Sequence, residues 1–306
     1  MKCVSFIPYV CGAGASKPGA EQGPVYCRAH GLSDRLAAQG IDTIWAVDPD
    51  VHWNGPYGRI AHENIPERGS DVRHEIVSWH LHALAENVAA ELNRGHRAVT
   101  LGGDHSMAAG SIAGAQAALG KDARLGLIWI DAHPDLHTLQ TSISKALHGM
   151  PLGTLTGLDR TLAIGKGFDV TLRPENIVYV GIRDIDDAEK DNARSLGLNL
   201  HTLGKLRERG VASVLQEAAI ELAGRCDHII LSIDIDGFDP EYAPATGTQV
   251  PEGLHPEEVL SVLAGIVRTH SVPLIDIVEF NPTLPGAEKT FDLIVRILGE
   301  LLPRSA

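Results

Sequence analysis

Residues 129–138 read WIDAHPDLHT and carry a side chain able to bind metal at every second position from 131 to 137. These side chains belong to Asp131, His133, Asp135 and His137. Alternate residues of an extended chain point to the same side, so at the end of a strand all four would face one small volume. Carboxylates gathered in such a volume repel one another unless a positive charge compensates them. The spacing therefore predicts a cation site.

Two further segments end in the same kind of polar residue. VTLGGDHS presents His105, and IILSIDIDGFDP presents Asp234 and Asp236. Taken singly, each residue could equally cap a helix or satisfy a turn. Taken together, carboxylates with two imidazoles favour Mn²⁺, with Zn²⁺, Fe²⁺ and Co²⁺ as competitors, and the set is large enough for two ions that share carboxylates. The predicted ligands are His105, Asp131, His133, Asp135, Asp234 and Asp236.

The elements that must position these residues alternate along the chain between strand-like and helix-like segments. Apolar runs at residues 3–10, 41–48, 98–103, 124–132, 176–183, 199–203, 228–235 and 272–280 predict eight strands. The clearest helix spans residues 73–95, where apolar residues recur at helical spacing. This alternation predicts a parallel sheet with helices on both faces and a ligand site beyond the carboxyl ends of its strands. Because no repeat or linker interrupts it, we expect one domain over residues 1–306.

Composition narrows the classes of protein and partner. The 306 residues are 44% hydrophobic, which is enough for a large core and argues against disorder. A formal net charge of -13 without a basic stripe argues against a nucleic-acid partner. No apolar run approaches the roughly 20 residues of a membrane span, and Pro8 interrupts the apolar start, which favours a strand over a secretory signal. Four cysteines without C-x-x-C spacing favour reduced thiols, so we expect a cytoplasmic protein.

The motifs resemble those of the arginase and agmatinase family, the ureohydrolases. The resemblance rests on GGDHS at 102–106, DAHPD at 131–135, HGMP at 148–151, SIDIDGFDP at 232–240, PATGT at 244–248 and EFNP at 279–282. It implies a three-layer α/β/α domain on a central eight-stranded parallel sheet. It also implies two manganese ions per subunit, hydrolysis of a guanidino group to urea and an amine, and a homo-oligomer, either a trimer or a hexamer.

The resemblance also assigns each predicted ligand to an ion. The first ion would be held by His105, Asp131, Asp135 and Asp234. The second would be held by His133, Asp131, Asp234 and Asp236, so that Asp131 and Asp234 bridge the pair. Two cations roughly 3.5–4 Å apart can acidify a water for attack on a guanidinium carbon.

Three residues receive catalytic roles from the same resemblance. Asp135 would pass a proton to the departing amine, and Glu279 would pair with the guanidinium, which a planar carboxylate recognises well. His148 would carry protons between the site and solvent, as its ordinary pKa permits. A surface acid and an exposed loop histidine are the alternatives for Glu279 and His148.

The residues expected to bind the amino-acid end of the substrate depart in part from the family pattern. Arginases usually carry Asn where this chain has His137 and Ala146, whereas Ser144 is retained. We expect His137 to compensate by donating to the substrate carboxylate, with orientation of a metal ligand as its alternative role. Asp186 would bind the α-amino group directly and Glu189 through water.

L-Arginine is therefore the predicted substrate. Another guanidino acid, agmatine or formiminoglutamate remains an alternative substrate. A metabolite-binding family member without turnover is an alternative of a different class, although the presence of all six expected ligands argues against it.

Overall fold

A computed structural model of the chain describes residues 3–49, 57 and 65–304. Its described sheet has seven strands, which are β1 (Val4–Pro8), β2 (Thr43–Trp45), β3 (Arg97–Leu101), β4 (Leu125–Ile130), β5 (Ile177–Val180), β6 (His228–Asp234) and β7 (Leu274–Val278). The strand order is β2-β1-β3-β7-β6-β4-β5, and all neighbouring strands are parallel. This order places the carboxyl ends of β3, β7, β6 and β4 side by side.

Helices connect these strands and cover both faces of the sheet. They are α1 (Gly23–Ala29), α2 (Leu32–Ala37), α3 (Asp71–Asn93), α4 (Met107–Leu119), α5 (Pro151–Leu155), α6 (Asp187–Leu196), α7 (Leu203–Arg209), α8 (Val211–Arg225), α9 (Pro256–Thr269) and α10 (Ala287–Leu301). The predicted helix over residues 73–95 corresponds to α3. Its N-cap is Ser70, whose hydroxyl oxygen accepts from the backbone N–H of Arg73.

The three-layer arrangement follows from the alternation of buried side chains along the strands. In β4, Leu127 and Trp129 face a core shared with α3 and α4, whereas Ile128 and Ile130 face a core shared with α8, α9 and α10. Both faces of the strand are therefore apolar, as expected for a parallel sheet covered on both sides. The predicted α/β/α architecture is confirmed.

The prediction of eight strands was wrong in one segment, residues 199–203. The residue that ends it, Leu203, donates one backbone hydrogen bond to the Ile182 carbonyl and then begins α7. Leu198 and Leu200 pack partly buried against the core without pairing with a strand. A short apolar run can be satisfied by side-chain packing alone, and periodicity cannot distinguish that case from a strand.

Within the described part of the chain, none of the helices combines the length and apolar character needed to cross a membrane.

Candidate metal centre and substrate pocket

The candidate site lies beyond the carboxyl ends of β3, β4, β6 and β7. The turn after β3 passes so close to the neighbouring loop that a Cβ at Gly103 would lie 1.8 Å from the carbonyl oxygen of Cys11. Only glycine fits there, and the turn it allows carries His105 to the centre of the site. Asp131 follows β4 directly, and Asp234 is the last residue of β6.

His105 is surrounded by carboxylates. Its Nδ1 atom lies 3.0 Å from Oδ2 of Asp131, 3.2 Å from Oδ2 of Asp135 and 3.2 Å from Oδ2 of Asp234. The same nitrogen is buried and is not in hydrogen-bonding geometry with any described protein atom. One imidazole nitrogen and three carboxylate oxygens that converge in this way fit a divalent cation.

The opposite edge and the face of the His105 ring are held by other residues. Nε2 lies 2.9 Å from the hydroxyl of Ser232, and the ring stacks on Trp129 with centroids 4.0 Å apart and planes 4° apart. Trp129 also donates from Nε1 to Oδ2 of Asp131 over 3.0 Å. If Nε2–H donates to Ser232, the lone pair of Nδ1 faces the carboxylates, which is the tautomer that a metal ligand requires.

A second group of possible ligands adjoins the first. Nδ1 of His133 lies 3.2 Å from Oδ2 of Asp236 and 3.4 Å from Oδ1 of Asp131. Asp131 therefore faces both histidines, with one oxygen toward each. Thr248 donates its hydroxyl proton to Oδ2 of Asp236 over 2.8 Å. These contacts bring the six predicted ligands into two adjoining groups.

Electrostatics shows that the cluster is short of positive charge. Burial and the neighbouring Asp131 raise the pKa of Asp135 to about 7, against the opposing effect of His105. Burial, Asp236 and Asp131 likewise raise the pKa of Asp234 well above its ordinary value. Burial of these neighbouring carboxyl groups therefore favours added positive charge, either as protons or as metal ions.

Two site residues have a backbone conformation that non-glycine residues rarely adopt. The φ angle is 50° at Asp135 and 63° at Glu279, both in the left-handed region. Such strain costs of order 1–3 kcal/mol and persists only where the surrounding structure enforces it. The fold therefore fixes the directions of these two carboxylates, which sequence spacing could not predict.

Glu279 and His148 form a buried pair beside the metal-ligand cluster. Oε1 of Glu279 accepts from the backbone N–H of His105 over 3.0 Å and lies 2.8 Å from Nδ1 of His148. Burial lowers the pKa of His148, but Glu279, Asp135 and Asp104 raise it, to about 9 on balance. Burial raises the pKa of Glu279, but the effect of His148 outweighs it, so that the pKa is lowered.

A cavity of about 220 Å³ opens from the cluster toward solvent. Its walls include the predicted tail-binding residues His137, Ser144, Asp186 and Glu189, as well as His133, Asp135, His148, Asp234 and Asp236. Glu279 lies behind His148 and is not among the described residues that line this cavity. Asp131 and His105 are likewise buried beneath the cavity floor.

The tail-binding residues are held by their own hydrogen bonds. Asp186 and Glu189 form the capping box of α6, and Oε1 of Glu189 also accepts from the N–H of Leu136. Burial and the charge of Asp135 raise the pKa of Glu189 to about 8. Ser144 accepts from the N–H of Ala146 over 3.2 Å.

His137 contacts another predicted tail-binding residue. Its Nε2 lies 3.0 Å from Oδ2 of Asp186, and its Nδ1 lies 3.2 Å from the hydroxyl of Thr141. Both ring nitrogens therefore have protein partners. To bind a substrate carboxylate, the imidazole ring would have to lose one of these two contacts.

Several contacts to the site were missed at the level of sequence. Ser232 and Thr248 lie inside the motifs SIDIDGFDP and PATGT, so a signal for them was present. Trp129 is two residues from Asp131, but its apolar character predicted only a core position. Ser16 contacts His148 from a distant loop, and nothing in its local sequence indicates this.

Comparisons with known proteins identify the family of the chain. A model of the arginase family matches residues 3–303. The chain is 33% identical over 304 residues to an arginase of Bacillus caldovelox, covering 98% of each chain. It is 35% identical over 279 residues to arginase-1 of Homo sapiens, covering 89% of this chain and 82% of that protein.

Solved structures give the same result. The arginase of Bacillus caldovelox superposes with a TM-score of 0.86 at 32% identity, covering 100% of this chain and 99% of that one. An arginase of Entamoeba histolytica in complex with L-ornithine superposes with a TM-score of 0.83 at 29% identity, covering 98% of each chain. A formimidoylglutamase of Bacillus subtilis, at 20% identity and a TM-score of 0.71, shares the fold.

Proposed function

Because this chain belongs to the arginase family and is a hydrolase of amidine C–N bonds, we propose that it converts L-arginine to L-ornithine and urea in a manganese-dependent reaction. The observation that carries this proposal is the buried Nδ1 of His105, which faces three carboxylate oxygens without a hydrogen-bond partner. Relatives at 33–35% identity that are named arginases support the choice of arginine. So does the L-ornithine complex of the structurally similar Entamoeba enzyme.

The residues present fit a pair of divalent cations. We propose that His105 and Asp135 would hold one ion and His133 and Asp236 the other, and that Asp131 and Asp234 would be shared between the two. When bound, two such ions supply a water acidic enough to act as a nucleophile near neutral pH. Manganese suits oxygen-rich ligation with one imidazole per ion.

The side chains of the protein then bind the guanidinium and move protons. Glu279, whose pKa is lowered beside His148, supplies a negative charge behind the cavity wall that attracts the guanidinium of the substrate. Asp135 lies on the cavity wall, where its carboxylate can take up a proton and release it to the departing amine nitrogen. His148, between Glu279 and the cavity, exchanges protons between the site and solvent.

At the outer end of the cavity, charge selects the substrate tail. Asp184 and Asp186 line this end and attract the ammonium group of an amino acid, and Glu189, whose pKa is raised to about 8, offers it a hydrogen-bond acceptor. Ser144 offers a hydroxyl to its carboxylate. An amine without a carboxylate, such as agmatine, would meet the same acidic groups, so agmatine is the strongest competing substrate.

Urea release by the purified protein tests the proposed function. The protein would be loaded with Mn²⁺ and given arginine, agmatine and 4-guanidinobutyrate, while formamide release from formiminoglutamate is followed in parallel. We expect the highest kcat/KM on arginine. Higher efficiency on another compound would reassign the substrate. Tight binding of arginine without any turnover would instead support a non-catalytic role.

A further inference from the structure

Ser16 contacts the proposed proton carrier from a loop that is remote in sequence. Its hydroxyl lies 3.1 Å from Nε2 of His148, whose Nδ1 lies 2.8 Å from Oε1 of Glu279. The three side chains form a chain of contacts from the interior toward the surface. The exposed fraction is 3% for the Glu279 side chain and 14% for that of His148, and Ser16 is partly exposed.

The loop that carries Ser16 is fixed by hydrogen bonds at the three residues that precede Ser16. The backbone N–H of Gly14 donates to Oδ2 of Asp104 over 2.9 Å, and the carbonyl of Gly14 accepts from the N–H of His148 over 3.1 Å. The buried guanidinium of Arg73 donates to the carbonyls of Ala13 and Ala15, on either side of Gly14. The backbone hydrogen bonds at residues 13–15 therefore fix the position of the loop from which the Ser16 hydroxyl contacts His148.

We propose that Ser16 is a positioning residue. It holds the imidazole of His148 in hydrogen-bonding position with Glu279 while protons pass between the site and solvent. This inference rests on the proposed function, because it assigns a role in the same reaction. Ser16 does not touch the reacting atoms and acts through His148.

The chemistry of a hydroxyl suits this role in both protonation states of the imidazole. When His148 is doubly protonated, its two N–H groups donate to Glu279 and to the oxygen of Ser16. When Nε2 has lost its proton, the Ser16 hydroxyl turns and donates to that nitrogen. The ring keeps the same position throughout, so no reorganisation is needed between proton transfers. An alanine at this position offers neither contact and leaves the ring held from one side only.

The test compares Ser16→Ala and Ser16→Thr, with Lys17→Ala as the matched control in the same loop. Lys17 is exposed and has no place in the proposed site. All variants would be manganese-loaded, and kcat, KM for arginine, bound manganese and Tm would be measured. For Ser16→Ala we expect kcat to fall by about 5- to 20-fold, the range of one lost hydrogen bond, with KM changed by less than about two-fold. Bound manganese and Tm should match those of the wild type, and Ser16→Thr should restore most of kcat because it keeps the hydroxyl.

A double-mutant cycle with His148→Asn separates positioning from a general structural effect. If Ser16 acts through His148, then Ser16→Ala should lower kcat no further in the His148→Asn background. If Ser16→Ala lowered kcat by the same factor in the His148→Asn background as in the wild type, the inference would be overturned. The inference would also be overturned if kcat were unchanged in Ser16→Ala, or if it fell equally in Lys17→Ala. A Ser16→Ala variant that lost bound manganese as well as kcat would overturn it too. A wild-type protein that hydrolyses no guanidino compound would overturn the proposed function as well, whereas an active wild type with an unaffected Ser16→Ala overturns this inference alone.

Discussion

The Nε2 atom of His137 lies 3.0 Å from Oδ2 of Asp186, and both residues line the outer end of the substrate cavity. Burial lowers the pKa of His137 more than the charge of Asp186 raises it, which favours the neutral imidazole. A neutral imidazole with Nε2–H toward Asp186 accepts at Nδ1 from the hydroxyl of Thr141. His137 therefore orients the carboxylate that is proposed to bind the α-amino group.

This contact changes what we expect from His137→Ala. Arginine and agmatine both carry an amine, so KM should rise for both, by about 5- to 30-fold for the loss of about 1–2 kcal/mol in orienting Asp186. Steady-state kinetics on the two substrates, with manganese content as a control, measures the effect. A rise in KM for arginine alone would show instead that His137 binds the substrate carboxylate, as its position in the sequence suggested. A loss of manganese would show that it orients a ligand such as Asp135.

Asp131 faces both histidines of the proposed centre, with Oδ2 toward His105 and Oδ1 toward His133. Asp131→Asn should therefore reduce bound manganese at both positions and abolish urea release, because one carboxylate oxygen is replaced by a poor ligand. Elemental analysis after dialysis gives the metal content, and Asp122→Asn, a change at an exposed loop position, is the control. Retention of two ions with full activity in Asp131→Asn would contradict a bridging role.

The dependence of kcat on pH should be bell-shaped. Activity rises from neutral pH into the alkaline range, since the attacking water must lose a proton. It should fall again at more alkaline pH, where His148 loses its proton. Burial disfavours this proton, but the neighbouring Glu279 stabilises it. In His148→Asn the alkaline limb should disappear while the rising limb stays. An optimum at acidic pH with intact metal would exclude this assignment.

Asp276 links stability to pH from within the central strand β7. It is fully buried and accepts from the hydroxyls of Thr100 and Ser111. Burial raises its pKa to about 6, although these hydrogen bonds lower it. Because the folded pKa exceeds the ordinary value of 3.8, the stabilising contribution is fully present below about pH 4 and is lost as pH rises through about 6.

Asp276→Asn should remove this dependence. Between pH 4 and pH 7, the free energy of unfolding of the wild type relative to the variant should fall by about 3 kcal/mol, as expected for roughly two pKa units. Urea unfolding of the chelated proteins at both pH values measures the difference, since bound metal would add its own contribution. A constant difference across this range would show that Asp276 keeps the same protonation state when the chain unfolds.

The sequence by itself determined the parallel α/β architecture and the residues that meet at the site. The sequence shows polar residues at every second position in 131–135 and 234–236, and it shows strands alternating with helices. Both patterns are local, so they can be recognised without knowing the order of the strands in the sheet. Parallel strands all end at one edge of the sheet, so polar residues that follow them must lie near one another. Proximity of His105, Asp131 and Asp234 could therefore be predicted.

Only the tertiary structure decided which residues support that site and in which direction they point. The order β3-β7-β6-β4 brings Ser232 beneath His105, and a loop clamped by Arg73 carries Ser16 to His148 across 132 residues of sequence. The left-handed backbone of Glu279 and the contact of His137 with Asp186 likewise depend on packing between distant segments. Residues 199–203 show the same limit, because an apolar run can either pair as a strand or pack by its side chains. The neighbouring elements decide between these outcomes, and local spacing carries no information about them.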